Sequence, residues 1–463
     1  MRIGFITLGC DKNTVDSERY LARLVGRGAE PVSDLATAEV IVVNTCGFID
    51  AAKKESIDAL IEAGRLKEDG SCQAVVAVGC MVERHKQELL EHLPEVDLFL
   101  GSSEMDQLVP ELERRGVIGD PTVEHPGVRV YTGDLPHVRY LKVSEGCDHG
   151  CAFCAIPLMR GRHRSFSLDE LMHEARELER QGAVEVNLVA QDLAHYGRDL
   201  RGNPPGMGVR LPELLQAPLR ERSVPWFRLL YLYSAGLTPR LLEVISRESR
   251  IAPYLDMPIQ HASDAVLERM RRPERERTIR ETLRRLRHAV PDIAIRTTCI
   301  VGFPGETDAD FQRLLDFLEE TQFERVGAFT YSAQEGTRAH AMTDDVPDDV
   351  KRERLERLLD LQRAVTAERY ERFVGRRVRG IVDRRADRLE ARAIWQADDI
   401  DGITILAGDA APGSIVDMTI TAVHDDFDFL ATQEAVIASP PVPVRSRASL
   451  PVVSLTSIGS FGR

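Results

Sequence analysis

The stretch Arg139-Tyr-Leu-Lys-Val-Ser144-Glu-Gly-Cys147-Asp-His-Gly-Cys151-Ala-Phe-Cys154 decides the reading of this chain. Arg139–Ser144 reads as a strand, and three cysteines follow within eight residues. A tight loop at this spacing lets three thiolates converge on one metal group. Three thiolates leave one iron of a four-iron cluster open, whereas electron-transfer clusters are usually held by four cysteines. An open iron can bind a cofactor or substrate. A zinc site with His149 or His163 as fourth ligand is the alternative. The C-x3-C-x-aromatic-C spacing is far more specific than a lone C-x-x-C.

Downstream, strands and helices alternate. Strands are expected at Val184–Val189, Trp226–Tyr231, Tyr254–Met257, Ala294–Cys299 and Val326–Tyr331. Helices are expected between them, for example at Leu168–Gln181, Pro239–Glu248, Asp264–Met270, Ile279–Ala289 and Asp308–Thr321. Six such units suit an open, partial (βα)6 barrel over 138–372. Asp348–Phe373 reads as a charged surface helix with no chemistry assigned to it.

Upstream, short β-branched runs at Ile3–Leu8, Val40–Val43, Ala74–Val78 and Val96–Leu100 read as buried parallel strands. Helices are expected at Asp16–Gly28, Ala51–Arg65, Glu83–Leu93 and Glu104–Arg115. The pattern predicts a doubly wound α/β domain over 1–116. Cys10, Cys46 and Cys80 each stand just past a strand's carboxyl end, one strand–helix unit apart. That edge of an open α/β sheet is where ligands bind, so the three thiols should meet and hold a second cluster. Small buried cysteines also pack well near strand ends, which is the plainer explanation for any one of them. Cys72 and Cys299 belong to no set and are expected to be non-ligands. Residues 117–137 read as a Gly/Pro-rich linker with a short strand at Val128–Tyr131.

Past residue 372 the pattern changes to short strands at Val378–Val382, Leu389–Ile394, Thr404–Leu406, Ile415–Ala422 and Phe427–Ala431. They predict a small β-barrel over 373–438. The remainder, 439–463, is Pro- and Ser-rich without periodicity and is expected to be a disordered tail.

The chain has 463 residues, with 43% hydrophobic and a formal net charge of −14. That length suits about three domains. The acidic balance disfavours a general polyanion binder and suits a basic partner. No apolar run approaches the ~20 residues that cross a bilayer, and the N-terminus lacks a secretory signal. A cytoplasmic protein without a membrane partner is expected. Between Arg392 and Arg445 there is no Lys or Arg, while Asp398, Asp399, Asp401, Asp409, Asp417, Asp425, Asp426, Asp428 and Glu434 fall there. An acidic barrel repels RNA phosphates and attracts a basic protein. A merely solvated acidic face is the alternative.

The loop Cys147–Cys154 resembles the signature of the radical S-adenosylmethionine enzymes. Together with the Cys10, Cys46, Cys80 set and the small terminal barrel, residues 1–435 resemble the methylthiotransferase family, whose terminal barrel is the substrate-binding TRAM domain. The segment Thr7-Leu-Gly-Cys10-Asp-Lys-Asn13-Thr-Val-Asp16-Ser-Glu18 is similar to the branch that modifies an aspartate of a ribosomal protein. So are Pro253-Tyr-Leu-Asp256-Met-Pro-Ile-Gln260-His261 and Gln191-Asp192 followed by Tyr196-Gly197. Asp11, where Pro is common, and Leu193-Ala194-His195 depart from the pattern.

The resemblance implies two 4Fe-4S clusters, on Cys10, Cys46, Cys80 and on Cys147, Cys151, Cys154. It implies S-adenosylmethionine as both radical source and methyl donor, with Phe153 and Gly302 as candidate cofactor contacts. The implied substrate is the β-carbon of an aspartate in small-subunit ribosomal protein S-twelve, and the implied electron donor is a flavodoxin or ferredoxin. A tRNA adenosine methylthiotransferase and a non-enzymatic iron–sulfur carrier are the alternatives. Weaker candidates are Arg160, Arg162 and Arg164 after the cluster loop, and Asp256, Gln260 and His261 at a strand end. The Gly-rich turn in Arg296–Glu306 is another. His261 is equally compatible with a core histidine.

Overall fold

In a computed structural model, residues 1–118, 128–200, 208–398, 400–425 and 427–441 are described. The N-terminal sheet is parallel. Its strands run Glu30–Pro31, Arg2–Thr7, Val40–Thr45, Ala74–Gly79 and Leu98–Gly101 across the sheet. The order therefore reverses between the first strand and Val40–Thr45. Apolar residues fill both faces, Ile6, Ile41, Val43 and Val75 on one and Phe5, Val40, Val42 and Val76 on the other. Burial on both faces is why these strands read as continuous apolar runs.

The helix after the first strand spans Asp11–Val25, starting five residues before the expected Asp16. Its first turn is polar and carries no apolar period, so the pattern became visible only at Val15, Leu21 and Leu24. Likewise the third helix begins at Cys80 and not at Glu83. The expected strand at Val128–Tyr131 does not form. Charge pins this segment instead: Arg129 is buried between Glu18 and Glu174, and the Val130 amide donates to the Glu18 carbonyl at 3.1 Å.

The second sheet is an open partial barrel of six parallel strands in sequence order: Val138–Lys142, Glu185–Val189, Trp226–Leu229, Ile251–Asp256, Ala294–Val301 and Arg325–Thr330. Alternate residues face opposite ways along a strand. One set, including Leu141, Val186, Leu188, Phe227, Leu255 and Ile295, packs on the surrounding helices. The other set meets the C-terminal barrel, which is closed and built from Arg377–Arg385, Leu389–Ala393, Thr404–Ala407, Ile415–His424 and Asp428–Ala438. Val189, Leu230, Tyr254 and Ala294 share a core with Trp395, Phe429 and the end of helix Asp348–Glu371.

This docking corrects the expectation of an acidic outer face. Asp398 and Asp401 are buried: Asp398 accepts from Asn187 at 2.8 Å, and Asp401 lies 3.5 Å from Arg325. Asp417 pairs with Arg377 at 2.7 Å, and Asp428 accepts the Ile403 amide at 2.8 Å. Asp409, Asp425 and Glu434 remain exposed, while Asp399 and Asp426 lie outside the described residues. The last strand continues to Ala438, and most of the expected tail, from residue 442, lies outside the described residues. Among the described residues, no helix is long and apolar enough to cross a membrane.

Candidate functional site

Register explains how the first cysteine set meets. Thr7 pairs with Asn44, and Thr45 with Gly79, so the three strand ends lie within one residue of one another. Cys46 and Cys80 each follow directly. By the same register Cys10 stands one residue further out, beyond Gly9, whose φ of 91° only glycine adopts readily. A Cβ on Gly9 would also lie 2.9 Å from the Cys46 sulfur. Burial pushes the Cys46 thiol up to about 12, and the charges of Cys10 and Cys80 add to it. Burial likewise takes Cys80 to about 11. The neighbouring Cys10 adds to the shift at both Cys46 and Cys80. Asn13 lies beneath them, its side chain donating to the carbonyls of Leu8 at 2.7 Å and Thr45 at 3.3 Å.

The second set forms in the loop after strand Val138–Lys142. Burial raises Cys154 to about 12, with Cys151 and Cys147 contributing, and takes Cys147 to about 11. All six thiols are free, and each set gathers three of them, one at neighbouring strand ends and the other within a single loop, which is the donor set an iron–sulfur group takes. Both triads therefore fit an iron–sulfur group. Tyr233 holds its hydroxyl 3.0 Å from the Cys151 sulfur, and the Arg272 guanidinium lies 3.8 Å over the Tyr233 ring.

The two histidines considered as a fourth zinc ligand have other partners. His149 stacks on Tyr233 at 4.0 Å and bonds Asp192 at 2.8 Å. His163 bonds Ser165 at 3.1 Å. His149, Asp192 and His195 do bring three ligand atoms within 4.8 Å of one another. Burial depresses His195 to about 4.

Of the weaker candidates, Phe153 packs half-buried against Ala152, Met270 and Phe303. Gly302, at φ 71°, donates its amide to Glu306 at 2.8 Å. His261 is a core histidine: it is wholly buried, accepting the Ser263 amide at 2.9 Å. Asp256 is buried 3.5 Å from Arg296, and burial raises its carboxyl above the usual range despite that charge. Gln260 has φ 69° and bridges Cys299, which is itself buried and isolated. Cys72 is also buried, bonding the Ala74 carbonyl, and joins neither triad. Arg162 and Arg164 are exposed, whereas Arg160 is buried at the contact between the two sheets' loops.

Sequence reasoning missed Lys12, Tyr231, Tyr233 and Arg272. Lys12 is buried, 3.2 Å over the Tyr231 ring and 3.1 Å from Asp11, linking the first helix to the barrel mouth. Tyr231 has φ 63°, a strained value of the kind concentrated at functional sites. Both tyrosines lie at or past a strand's carboxyl end, and that position was their available signal.

Residues 2–101 match the Uncharacterized protein family UPF0004, and residues 141–318 match the Radical SAM superfamily. The ribosomal protein uS12 methylthiotransferase RimO of Anaeromyxobacter sp. (strain K) is 45% identical over 460 residues, 97% of each chain. That of Geobacter sulfurreducens is 41% identical over 442 residues, 93% of this chain and 98% of its own. The radical S-adenosylmethionine methyltransferase TsrM from Kitasatospora setae shares the fold, with a TM-score of 0.52 at 14% identity, over 71% of this chain and 72% of its own.

Proposed function

This chain belongs to the family of ribosomal protein uS12 methylthiotransferases, and on that premise we propose that it transfers a methylthio group to the β-carbon of an aspartate of ribosomal protein uS12. As a radical S-adenosylmethionine enzyme it uses a 4Fe-4S cluster and S-adenosylmethionine. Cys147, Cys151 and Cys154 would hold that cluster, and Cys10, Cys46 and Cys80 a second one. When bound, the first cluster and S-adenosylmethionine supply the power to take hydrogen from an unactivated carbon, which acid–base chemistry cannot do.

The residues of this chain do the rest by placement. Tyr233 and Arg272 flank the Cys151 sulfur. Lys12, Tyr231, Asp256 and Arg296 line the side where the first helix faces the barrel strands' ends. The C-terminal barrel covers the inward face of the sheet below, excluding water. A flavodoxin or ferredoxin is the proposed electron source.

The observation that carries this reading is the short path between the triads. Only Ala155 and the five-residue helix Ile156–Arg160, about 8 Å long, follow Cys154, and that helix packs on Cys80. Mass spectrometry of ribosomal proteins and tRNA nucleosides from cells lacking the chain tests the proposal. Loss of the methylthio group from uS12 with unchanged tRNA is expected. Loss from tRNA adenosine with unaltered uS12 would overturn it.

A further inference from the structure

We propose that Arg160 is a positioning residue whose Nε–H bond to the Cys80 sulfur raises the reduction potential of the cluster on Cys10, Cys46 and Cys80. This rests on the assignment of a cluster to those three cysteines.

The geometry assigns every donor edge of the guanidinium. Nε lies 3.2 Å from the Cys80 sulfur. Nη1 donates to Asp16 at 2.6 Å and to Glu145 at 3.0 Å, and Nη2 donates to Asn13. Lys142 bonds the same two carboxylates, Asp16 and Glu145. Two cations therefore face two anions, and the charge of Arg160 is balanced locally. What remains aimed at the sulfur is one fixed N–H dipole.

The surroundings hold it there. Arg160 is the last residue of helix Ile156–Arg160, and Ala155, Ile156 and Met159 of the same segment pack directly on Cys80. Asn13 in turn is bound to the carbonyls of Leu8 and Thr45 beneath the thiols. The guanidinium is thus fixed to the N-terminal domain at three points, while its backbone continues the loop that carries Cys147–Cys154. Hydrogen bonds to cluster sulfurs favour the more negative, reduced state and are one of the levers that set potential. A planar guanidinium can donate in this fork pattern, and an ammonium cannot.

The test uses the full chain with both clusters reconstituted anaerobically, and a parallel form carrying Cys147→Ala, Cys151→Ala and Cys154→Ala to isolate the N-terminal cluster. Potentiometric titration followed by electron paramagnetic resonance is run with and without Arg160→Lys. Lysine keeps the positive charge beside Asp16 and Glu145. The expected result is unchanged iron content and a midpoint shifted to lower potential. An unshifted midpoint with the cluster in place overturns the proposal. Absence of iron from the isolated form of the parent would instead overturn the cluster assignment. Should Arg160→Lys fail to fold, the parent protein still decides. With 15N-arginine, pulsed electron–nuclear double resonance must show a nitrogen coupled to the reduced N-terminal cluster, and its absence overturns the proposal.

Discussion

Arg392 in the C-terminal barrel places Nη2 at 2.8 Å from Glu185 Oε2 in the radical domain's sheet, and both side chains are buried. Arg228 bonds the other Glu185 oxygen at 2.6 Å, and Asp383 bonds Arg392 at 2.6 Å. A charged chain of four residues therefore joins the two barrels through a dry interface. Removing one member strands the others without solvent.

Arg392→Met should accordingly destabilise the protein by about 3–5 kcal/mol, the usual effect of breaking a buried pair from one side. Urea denaturation followed by the fluorescence of Trp395, which stacks on Phe373 at 4.1 Å, measures this. A loss below about 1 kcal/mol, the range of an exposed pair, would mean the interface admits water.

The same chain sets an acid response. Burial disfavours the Asp383 carboxylate, but Arg392 and the His137 hydrogen bond outweigh it and hold the group at about 2 against an ordinary 3.8. A depressed folded value contributes stability above the unfolded value, and this is lost as pH falls toward the folded one. The contribution is about 2 kcal/mol, disappearing between about pH 4 and pH 2. Denaturation at stepped pH should show this slope in the parent and not in Asp383→Asn.

Replacing Cys147, Cys151 and Cys154 by Ala should leave iron at the N-terminal site. Replacing Cys10, Cys46 and Cys80 should preserve cleavage of S-adenosylmethionine while stopping sulfur insertion, since each thiolate set fixes its own cluster. Cys72→Ala and Cys299→Ala should keep both. Iron analysis and product mass spectrometry read these outcomes. Methylthio product from the second triple variant would remove any sulfur-donor role from that site.

Charge reversal at exposed acids of the C-terminal barrel, Asp409→Lys with Asp425→Lys, should weaken binding of the basic protein substrate and spare cofactor cleavage. The defect should be largest at low salt, where screening is least. Binding titrations across ionic strength check it. Equal affinity at low salt would show that recognition lies elsewhere, for instance at the barrel mouth.

Features that depend only on neighbours along the chain are legible in the residues themselves. Unbroken apolar runs such as Val40–Val43 identify strands buried on both faces. The spacing Cys147, Cys151, Cys154 places three thiols in one loop whatever surrounds it. Even the meeting of Cys10, Cys46 and Cys80 followed from the chain, because parallel strands bring successive carboxyl ends to one edge. Tertiary structure alone decided which charges are inside. Asp398 and Asp401 look no different in sequence from Asp409 and Asp425, yet the first pair is buried against Asn187, Arg296 and Arg325. Arg160 is likewise written like Arg162, two residues away, but only Arg160 reaches Cys80, 80 positions earlier in the chain. A charged side chain has the same composition and local propensity in water or in a dry contact. Its energy there depends on partners supplied by distant segments, and those are set by packing, not by its neighbours in sequence.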